Sequence, residues 1–570
     1  MKHRKSFLEA QKLHREGRIS EAERRYRKLI RKSPGSPEIS FYLGLALLQS
    51  GRGDEAVGYF ETVVRVAPND PVAQDHFGQA LLAAGEHEQA IAHHMRARDL
   101  APGKPENFIN LGVALERADL LPKAEEQYRK AISLAPNFFP ALANLGAVLY
   151  KLGRYTAAIP VLRRAHQLNP AAPEPLATLA FALEHTHQME EADRLTEKFV
   201  AIAPGHPAGL LLEGQKQARS GNTRSASELL RRATAAPLED NRRAHAWFEL
   251  GKLQDKQGDY ADAFQSYLRS NELMALASQA TGVDRDEMFR TIRAYMQSST
   301  ATWVTEKTAQ LTGDLRPLFF FVGFPRSGTT LMEQILGAHP NVETTNELSP
   351  FAATLRDAAN WTKLPIPKAL GQLTADQLNR LRANFLQDAR KITGSDLTDR
   401  CLVDKQPLNI VELGPIQFVL PEAAAIIALR DPRDVCLSCF FQQFSLNQGM
   451  VHFLSLETTA RFYAAVMELW NHYRKILPIR WIEYRYEDLV ADFEGTVSGV
   501  LDFMDLPWND SVNRYAERAR SRDIHTPSRT AVTQAINDRA VSRWRNYAEQ
   551  MTPILPILEP FVREFGYEPS

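Results

Sequence analysis

The fold of the C-terminal half of the chain is decided by residues 319–336, which read FFFVGFPRSGTTLMEQIL. The apolar run Leu318–Val322 is typical of a buried strand in a parallel sheet, and Thr330–Leu336 has helical periodicity. Gly337 and Pro340 are residue types that end a helix. The stretch therefore predicts a strand, a tight turn and a helix.

The predicted turn carries the polar residues of an anion site. A glycine-containing turn at the start of a helix presents backbone N–H groups to an anion such as phosphate. Arg326 adds a planar cation that binds two oxygens of one anion. The other expected contacts are Ser327, Gly328, Thr329 and Thr330. An ordinary strand–turn–helix that happens to contain an arginine is the alternative.

The spacing of this turn is close to that of the nucleotide-triphosphate loop, GxxxxGK[ST]. Thr329, however, stands where that loop has its lysine, so the side chain that reaches the outer phosphates is missing. No strand ends in an acidic residue that clearly serves as a magnesium holder. We therefore expect a site without a metal and disfavour a metal-dependent NTPase.

Composition indicates soluble globular domains, because the 570 residues have zero formal net charge and 44% are hydrophobic. The neutral balance argues against a general nucleic-acid binder, and the length requires at least two domains. We find no signal peptide and no run of roughly 18 apolar residues that could span a bilayer. Since there are only three cysteines, we expect a reducing, cytoplasmic location. The CxxC at Cys436 and Cys439 is expected to pack in a helix.

The first half of the chain repeats with a period of 34 residues. The repeating positions are Pro34, Pro68, Pro102, Pro136, Pro170 and Pro204; Ala22, Ala56, Ala90, Ala124, Ala158, Ala192 and Ala226; and Gly44, Gly78, Gly112, Gly146 and Gly214, with Ala180 in the gap. This pattern resembles the tetratricopeptide repeat, in which small residues lie where paired helices cross. We place seven or eight repeats in residues 3–273 and a helical connector in 274–316.

A tetratricopeptide solenoid exposes a concave groove, and its usual role is to bind peptides or proteins. The resemblance therefore implies a protein or peptide partner in the groove. A structural role or a homodimer is the alternative.

Residues 317–570 have the pattern of an α/β domain with a central parallel sheet. Short apolar runs alternate with helical stretches, at Leu318–Val322, Cys401–Val403, Ala424–Leu429 and Arg480–Tyr484. Ligands of such sheets bind at the carboxyl ends of the strands, where the turn after Val322 would lie.

Several segments of this half resemble sulfotransferases that use 3′-phosphoadenylyl sulfate (PAPS). PRSGTT at 325–330 resembles their 5′-phosphosulfate loop, and RDPRDVCLS at 430–438 resembles their 3′-phosphate segment, RDxRxxxxS. The resemblance implies that Arg430 and Ser438 bind the 3′-phosphate, with Arg433 assisting. RYEDLV at 485–490 resembles a nucleotide-side element, which implies that Tyr486 contacts adenine.

The resemblance also implies catalytic residues. Glu347 lies 21 residues after Arg326, the spacing of the catalytic base in tyrosylprotein sulfotransferases, and Glu343 is its main rival. Lys405, in CLVDKQPLN at 401–409, matches a lysine near the bridging oxygen of the donor. Residues 525–547 resemble a C-terminal loop that closes over the donor, which implies a catalytic role for Ser528 and donor contact for Arg543.

The resemblance as a whole implies a PAPS-dependent sulfotransferase that needs no metal. The repeats favour a tyrosine of a protein or peptide as the acceptor. A carbohydrate or a small metabolite is the alternative acceptor. A nucleotide-dependent kinase, and a protein-interaction scaffold with an inactive sulfotransferase-like domain, are the rival functions.

Overall fold

The structure is a computed structural model, and it describes residues 2–280, 282–307, 311–312, 317–521, 532–533 and 536–569. The chain divides into two compact units, Met1–Leu238 and Glu239–Ser570. The prediction of a helical solenoid followed by an α/β domain with a parallel sheet is confirmed.

The described part of the first unit consists of paired helices. They are Lys2–Arg15, Ile19–Ile30, Pro37–Gln49, Gly53–Val66, Pro71–Ala83, His87–Leu100, Pro105–Arg117, Leu121–Leu134, Phe139–Lys151, Tyr155–Leu168, Pro173–His185, Met189–Ile202, Pro207–Arg219 and Thr223–Ala235. In several pairs, one of the recurring prolines follows shortly after the end of the second helix. The recurring alanines, such as Ala56 and Ala124, are fully buried between the helices.

The recurring glycines mark where the two helices of a repeat touch. A Cβ at Gly146 would lie 2.4 Å from Cδ2 of Leu162, and one at Gly112 would lie 2.4 Å from the Tyr128 ring. In both repeats the opposing residue comes 16 positions after the glycine. Where the chain has Ala180 instead of glycine, that position holds the smaller, fully buried Thr196. The repeat with Ala180 therefore has a smaller side chain 16 positions later than these two repeats have.

The second unit begins with helices and continues into the sheet. The first helices are Asp240–Gln257, Tyr260–Ala280, Glu287–Ser298 and Ala301–Thr305. The strands are β1 (Leu318–Gly323), β2 (Val342–Thr344), β3 (Cys401–Lys405), β4 (Ala424–Leu429) and β5 (Arg480–Arg485). They pair in the order β2-β3-β1-β4-β5, and every pairing is parallel.

Helices cover both faces of this sheet. They are Thr329–Ala338, Pro350–Thr362, Lys368–Gln372, Ala375–Thr393, Leu413–Val419, Pro432–Phe440, Leu456–Ile476, Tyr486–Ala491, Phe493–Phe503, Tyr515–Ser521, Ala548–Met551 and Leu555–Glu564. Short 3₁₀ helices span Pro407–Ile410, Met450–Leu454, Asp510–Arg514, Arg543–Tyr547 and Thr552–Ile554. Alternate β1 residues feed two separate cores, with Phe320 and Val322 in one and Phe319 and Phe321 in the other.

The four predicted strands are all present, and each lies within two residues of its predicted bounds. The sequence pattern missed β2, because three residues, Val342–Thr344, are too few to show a period. With β1 at the centre of the sheet, the turn after it opens at the carboxyl edge between β3 and β4. This edge is where ligands bind in sheets of this type.

Candidate active site

The turn after β1 is held in a backbone conformation that only a few residue types adopt easily. Gly328 has φ +89° and immediately precedes the helix Thr329–Ala338. A Cβ at Gly328 would lie 2.6 Å from Cδ2 of Tyr486, so both the angle and the contact require glycine. Arg326 also has positive φ, 71°. The turn places backbone N–H groups at the positive end of a helix, as an anion site requires.

Residues of the helix Pro432–Phe440, which follows β4, and of the segment just before it contact this turn. Arg326 Nε donates to Ser438 Oγ at 3.1 Å, and a guanidinium N–H of Arg430 donates to the Arg326 carbonyl at 2.9 Å. The buried Cys439 thiol donates to the Pro325 carbonyl at 3.4 Å. Three residues that the sequence predicted to act on one ligand, Arg326, Arg430 and Ser438, therefore lie together.

Arg430 has an unused donor in this cluster. Its guanidinium lies over the Tyr486 ring, 5.0 Å from the centroid, and a second N–H donates to the Ala540 carbonyl at 2.5 Å. Its Nε is buried and finds no hydrogen-bond partner among the described residues. A buried, charged donor without a partner is costly, so an anionic ligand that accepts from it would be favoured.

The hydroxyl residues of the loop are buried at the start of the helix. Ser327, Thr329 and Thr330 are each less than a tenth exposed. Burial, followed by the neighbouring Arg430 cation, lowers the pKa of Arg326 from its usual value. Both effects disfavour a charged arginine here, and a bound anion would offset them.

A second charged group lies around Lys405, the last residue of β3. The Lys405 ammonium, which is fully buried, contacts Glu347 Oε1 at 2.5 Å and Glu333 Oε2 at 2.9 Å. Glu333 is also buried, whereas the Glu347 side chain is 31% exposed. Glu347 is therefore the carboxylate of this group that another molecule can reach.

The backbone that carries Glu347 is strained. Asn346 and Glu347 both have positive φ, 49° and 66°, a conformation that costs on the order of 1 kcal/mol or more per residue. The Asn346 N–H donates to Glu333 Oε1 at 3.1 Å, which helps to hold this turn. Strain of this kind, kept by specific contacts, is common at functional sites.

The rival carboxylate, Glu343, lies elsewhere on the sheet. It belongs to β2 opposite Leu402, and its carboxylate pairs with Arg400, which precedes β3. Glu343 therefore points toward the amino end of β3, whereas Lys405 and Glu347 lie at its carboxyl end. This placement favours Glu347 over Glu343.

Burial and charge set the protonation of the group around Lys405. Burial raises the pKa of Glu333, and the Lys405 charge only partly opposes this. Burial also acts to lower the pKa of Lys405, but the two carboxylates outweigh it and the pKa is raised. Lys405 therefore stays charged. Next to it, burial raises the pKa of Asp404 to about 8, so this carboxyl is protonated at neutral pH.

Glu333 and Asp404 are site residues that the sequence prediction missed. Glu333 stands within the apolar run Leu331–Leu336, and a single carboxylate among buried residues is a signal that could have been noticed. Asp404 Oδ1 accepts from Thr345 Oγ1 at 3.5 Å, and that same oxygen of Thr345 accepts the Lys405 N–H at 3.0 Å. These contacts join β2 to the end of β3.

The remaining predicted residues have other neighbours. Arg543 donates to Asp255 Oδ2 at 2.7 Å and lies over the Phe441 ring. Arg433 pairs with Asp431 and lies over Trp544, and its predicted part in binding the 3′-phosphate stays a prediction. Ser528 lies outside the described residues. The roles predicted for Arg543 and Ser528 stay predictions.

Comparisons with known proteins agree with this architecture. Residues 317–510 match the profile described as "Sulfotransferase family". Tetratricopeptide-repeat profiles match residues 7–71, 77–137, 127–159, 149–215 and 211–272.

The chain combines tetratricopeptide repeats with a sulfotransferase-family domain.

Curated relatives of the sulfotransferase domain include tyrosine sulfotransferases. The chain is 24% identical to protein-tyrosine sulfotransferase A of Caenorhabditis elegans, over 45% of this chain and 68% of that protein. It is 26% identical to the protein-tyrosine sulfotransferase of Drosophila melanogaster, over 44% of this chain and 52% of that protein. An uncharacterised Aquifex aeolicus protein is 28% identical over 67% of this chain, and the match spans half of that protein.

In the part of the chain that the structure describes, we see no helix with the length and apolar character needed to cross a membrane. The same described residues contain no group of three or more His, Cys, Asp or Glu side chains arranged to hold a metal ion.

Proposed function

We propose that the sulfotransferase domain moves a sulfuryl group from PAPS to a hydroxyl group, with tyrosine of a protein or peptide as the acceptor. The proposal rests on the hydrogen bonds that hold Arg326, Arg430 and Ser438 together beside the turn after β1. The tyrosine sulfotransferases among the relatives support the choice of acceptor.

The residues around the turn after β1 fit the two anionic groups of the donor. The N–H groups of the turn and Arg326 would hold the 5′-phosphosulfate, and Arg430 and Ser438 would hold the 3′-phosphate. The unpartnered Arg430 Nε supports this assignment, because it offers a charged N–H to a phosphate oxygen. Tyr486, already packed on Gly328 and Arg430, would border the adenine. The bound donor supplies the sulfuryl group on a phosphosulfate linkage.

Glu347 would act on the acceptor oxygen, and Lys405 would act on the bridging oxygen on the other side of the sulfur. In the proposed transfer the acceptor oxygen bonds to sulfur, the bond from sulfur to the bridging oxygen breaks, and the hydroxyl proton passes to Glu347. An ammonium has three N–H donors, and the two carboxylates occupy two for Lys405, so one remains for the bridging oxygen. A cation there would stabilise the charge that develops on the leaving group.

The acceptor is tested with radiolabelled PAPS and matched peptides. We expect label on a tyrosine peptide and none on the same peptide with phenylalanine. Transfer to a glycan or a small alcohol, with none to the tyrosine peptide, would replace the acceptor class. If no label is transferred to any acceptor, including those in a lysate, the result would favour the rival function, a protein-interaction scaffold with an inactive sulfotransferase-like domain.

The donor site is tested by nucleotide binding to Arg430→Ala. We expect this change to weaken 3′,5′-ADP by about 10–100-fold, since a charge-assisted hydrogen bond contributes roughly 1.5–3 kcal/mol. The affinity for 5′-AMP, which has no 3′-phosphate, should change much less. Equal losses for both nucleotides would contradict the assignment of Arg430.

The base is tested with Glu347→Gln, which keeps the shape but cannot take the proton. We expect kcat to fall about 10²–10⁴-fold while 3′,5′-ADP binding hardly changes. Glu343→Gln is the matched control, because it removes a nearby carboxylate that belongs to β2 and pairs with Arg400 instead of Lys405. If Glu343→Gln is the deleterious change and Glu347→Gln is not, the assignment of the base is wrong.

A further inference from the structure

Glu333 makes contacts that neither donor nor acceptor binding requires. It lies on the helix Thr329–Ala338 with a side chain 2% exposed. Its Oε2 contacts Lys405 Nζ at 2.9 Å, and its Oε1 accepts the Asn346 N–H at 3.1 Å. One carboxylate therefore joins the helix that follows the anion loop to the lysine and to the turn that carries Glu347.

We propose that Glu333 is a positioning residue for the sulfuryl transfer, which holds Lys405 and the Asn346–Glu347 turn in the arrangement that the reaction needs. The inference rests on the proposed function and adds to it a residue that touches neither substrate. Its geometric basis is that both carboxylate oxygens are used, each by a different partner, inside the protein.

The sharing of Lys405 gives Glu333 an electrostatic effect on Glu347. Two carboxylates contact one ammonium, so Glu333 balances part of the positive charge that would otherwise act on Glu347 alone. Among the residues that the structure describes, the other charged or titratable groups that interact with this cluster are Arg326 in the loop and Asp404 on β3, the latter protonated at neutral pH. Loss of the Glu333 charge would therefore leave Glu347 as the only carboxylate that balances the Lys405 charge.

Glutamine at this position cannot replace glutamate. Its side chain has one acceptor oxygen, whereas Lys405 and Asn346 both donate to Glu333. Glu333→Gln would leave one donor facing an amide NH₂ group. The lysine or the turn would then shift, and a displacement of about 1 Å at a reacting group costs on the order of 10²-fold in rate.

The test is a comparison of full-length wild type, Glu333→Gln, Glu333→Asp and Glu343→Gln. For each protein, kcat is measured from pH 5 to 9 with PAPS and the acceptor that wild type labels, and 3′,5′-ADP affinity is measured by calorimetry. For Glu333→Gln we expect kcat to fall about 10–100-fold and the acid limb of its pH profile to move to lower pH. 3′,5′-ADP affinity should stay within about threefold, since the contacts of Glu333 are with Lys405 and Asn346 and not with Arg326, Arg430 or Ser438.

Glu333→Asp keeps the charge but withdraws it by one methylene group. We expect a smaller loss of kcat than in the glutamine variant, with the acid limb where wild type has it. If Glu333→Gln does not fold, Glu333→Asp tests the proposal by itself. The proposal then requires that kcat is lower than in wild type and that the acid limb of the pH profile has not moved. Glu343→Gln, which removes a buried carboxylate bound to Arg400, should leave both quantities near wild type.

Wild-type kcat and acid limb in Glu333→Gln would overturn the role of Glu333. So would an acid limb that moves equally in the aspartate variant, since the charge would then not matter. A wild-type protein that transfers no label would overturn the proposed function itself, and that outcome is separate because it is seen before any variant is made.

Discussion

The contacts inside the first unit and those inside the second unit differ greatly in sequence separation. In the repeats, Gly146 packs on Leu162 within the same pair of helices. In the second unit, Arg326 reaches Ser438 across 112 residues, and Arg543 reaches Asp255 across 288 residues. A repeat contacts mainly its neighbours, so a local change stays local. In the second unit, a change far away in the sequence can reach the site.

The largest expected effect follows from the start of the second unit. Asp255 binds both Arg543 and Tyr547, and Asn271 donates to the Phe440 carbonyl at 3.0 Å. We expect a chain of residues 239–570 to bind 3′,5′-ADP within about threefold of the full protein, because it keeps these contacts. A chain of residues 274–570 lacks Asp255 and Asn271, and should unfold or lose binding.

Circular dichroism, followed by calorimetry with 3′,5′-ADP, distinguishes these outcomes. Equal binding by the two shortened chains would show that the long-range contacts to residues 240–273 do not matter to the site. It would also favour the domain boundary predicted at residue 273, which the same experiment therefore tests.

A smaller effect is expected from Gly146→Ala in the repeats. The added methyl group would lie within 2.5 Å of two Leu162 atoms, and overpacking of this kind costs about 1–3 kcal/mol. Urea unfolding should show the loss, while 3′,5′-ADP affinity stays unchanged because the effect is local. Gly58→Ala is the matched control, since a Cβ at this helical position meets no atom within 4 Å.

The control variant should be neutral or stabilised by up to about 1 kcal/mol, because alanine is the better helix former. If both variants lose the same stability, close contact at the helix crossing is not the reason for glycine. If Gly146→Ala changes nucleotide affinity, the effect is not confined to the repeat.

The third expected effect is a pH dependence that belongs to the second unit. The pKa of Asp404 is about 8 in the folded protein, well above the usual value of about 3.9. Between these values the folded state binds the extra proton, so this group makes stability fall as pH rises, by at most about 1.4 kcal/mol per pH unit. Asp404→Asn has a similar shape and does not titrate.

The free energy of unfolding of Asp404→Asn should therefore rise relative to wild type as the pH goes from 5 to 8. Urea unfolding at several pH values measures this difference. Asp399→Asn, at an exposed position before β3, serves as the control and should keep a constant difference. A constant difference for Asp404→Asn as well would contradict a protonated carboxyl at this position.

Sequence patterns could assign Arg326 and Arg430 to one site because of a property of parallel sheets. Arg326 and Arg430 each follow a strand, and the carboxyl ends of neighbouring parallel strands meet at one edge. The structure places them in contact. The assignment of these residues to PAPS stays a prediction.

Other parts of the site could not be predicted because their partners are set by the tertiary fold. Glu333 was visible only as a carboxylate in an apolar helix, and no local pattern shows that Lys405 and Asn346 would meet it. Similarly, nothing in the residues around Arg543 indicates Asp255 as its partner. Period and spacing describe contacts along one element, whereas these contacts join separate elements.

The matched sizes at the helix crossings restrict how the repeat array can be recombined. Ala180 is compatible with Thr196, whereas Gly146 and Gly214 face leucines. A duplication or deletion with breakpoints near the prolines between repeats would keep together the two residues that face each other at each helix crossing. A breakpoint between the two helices of a repeat would join Ala180 to a leucine, or a glycine to Thr196, and so create a clash or a cavity without altering the period of 34.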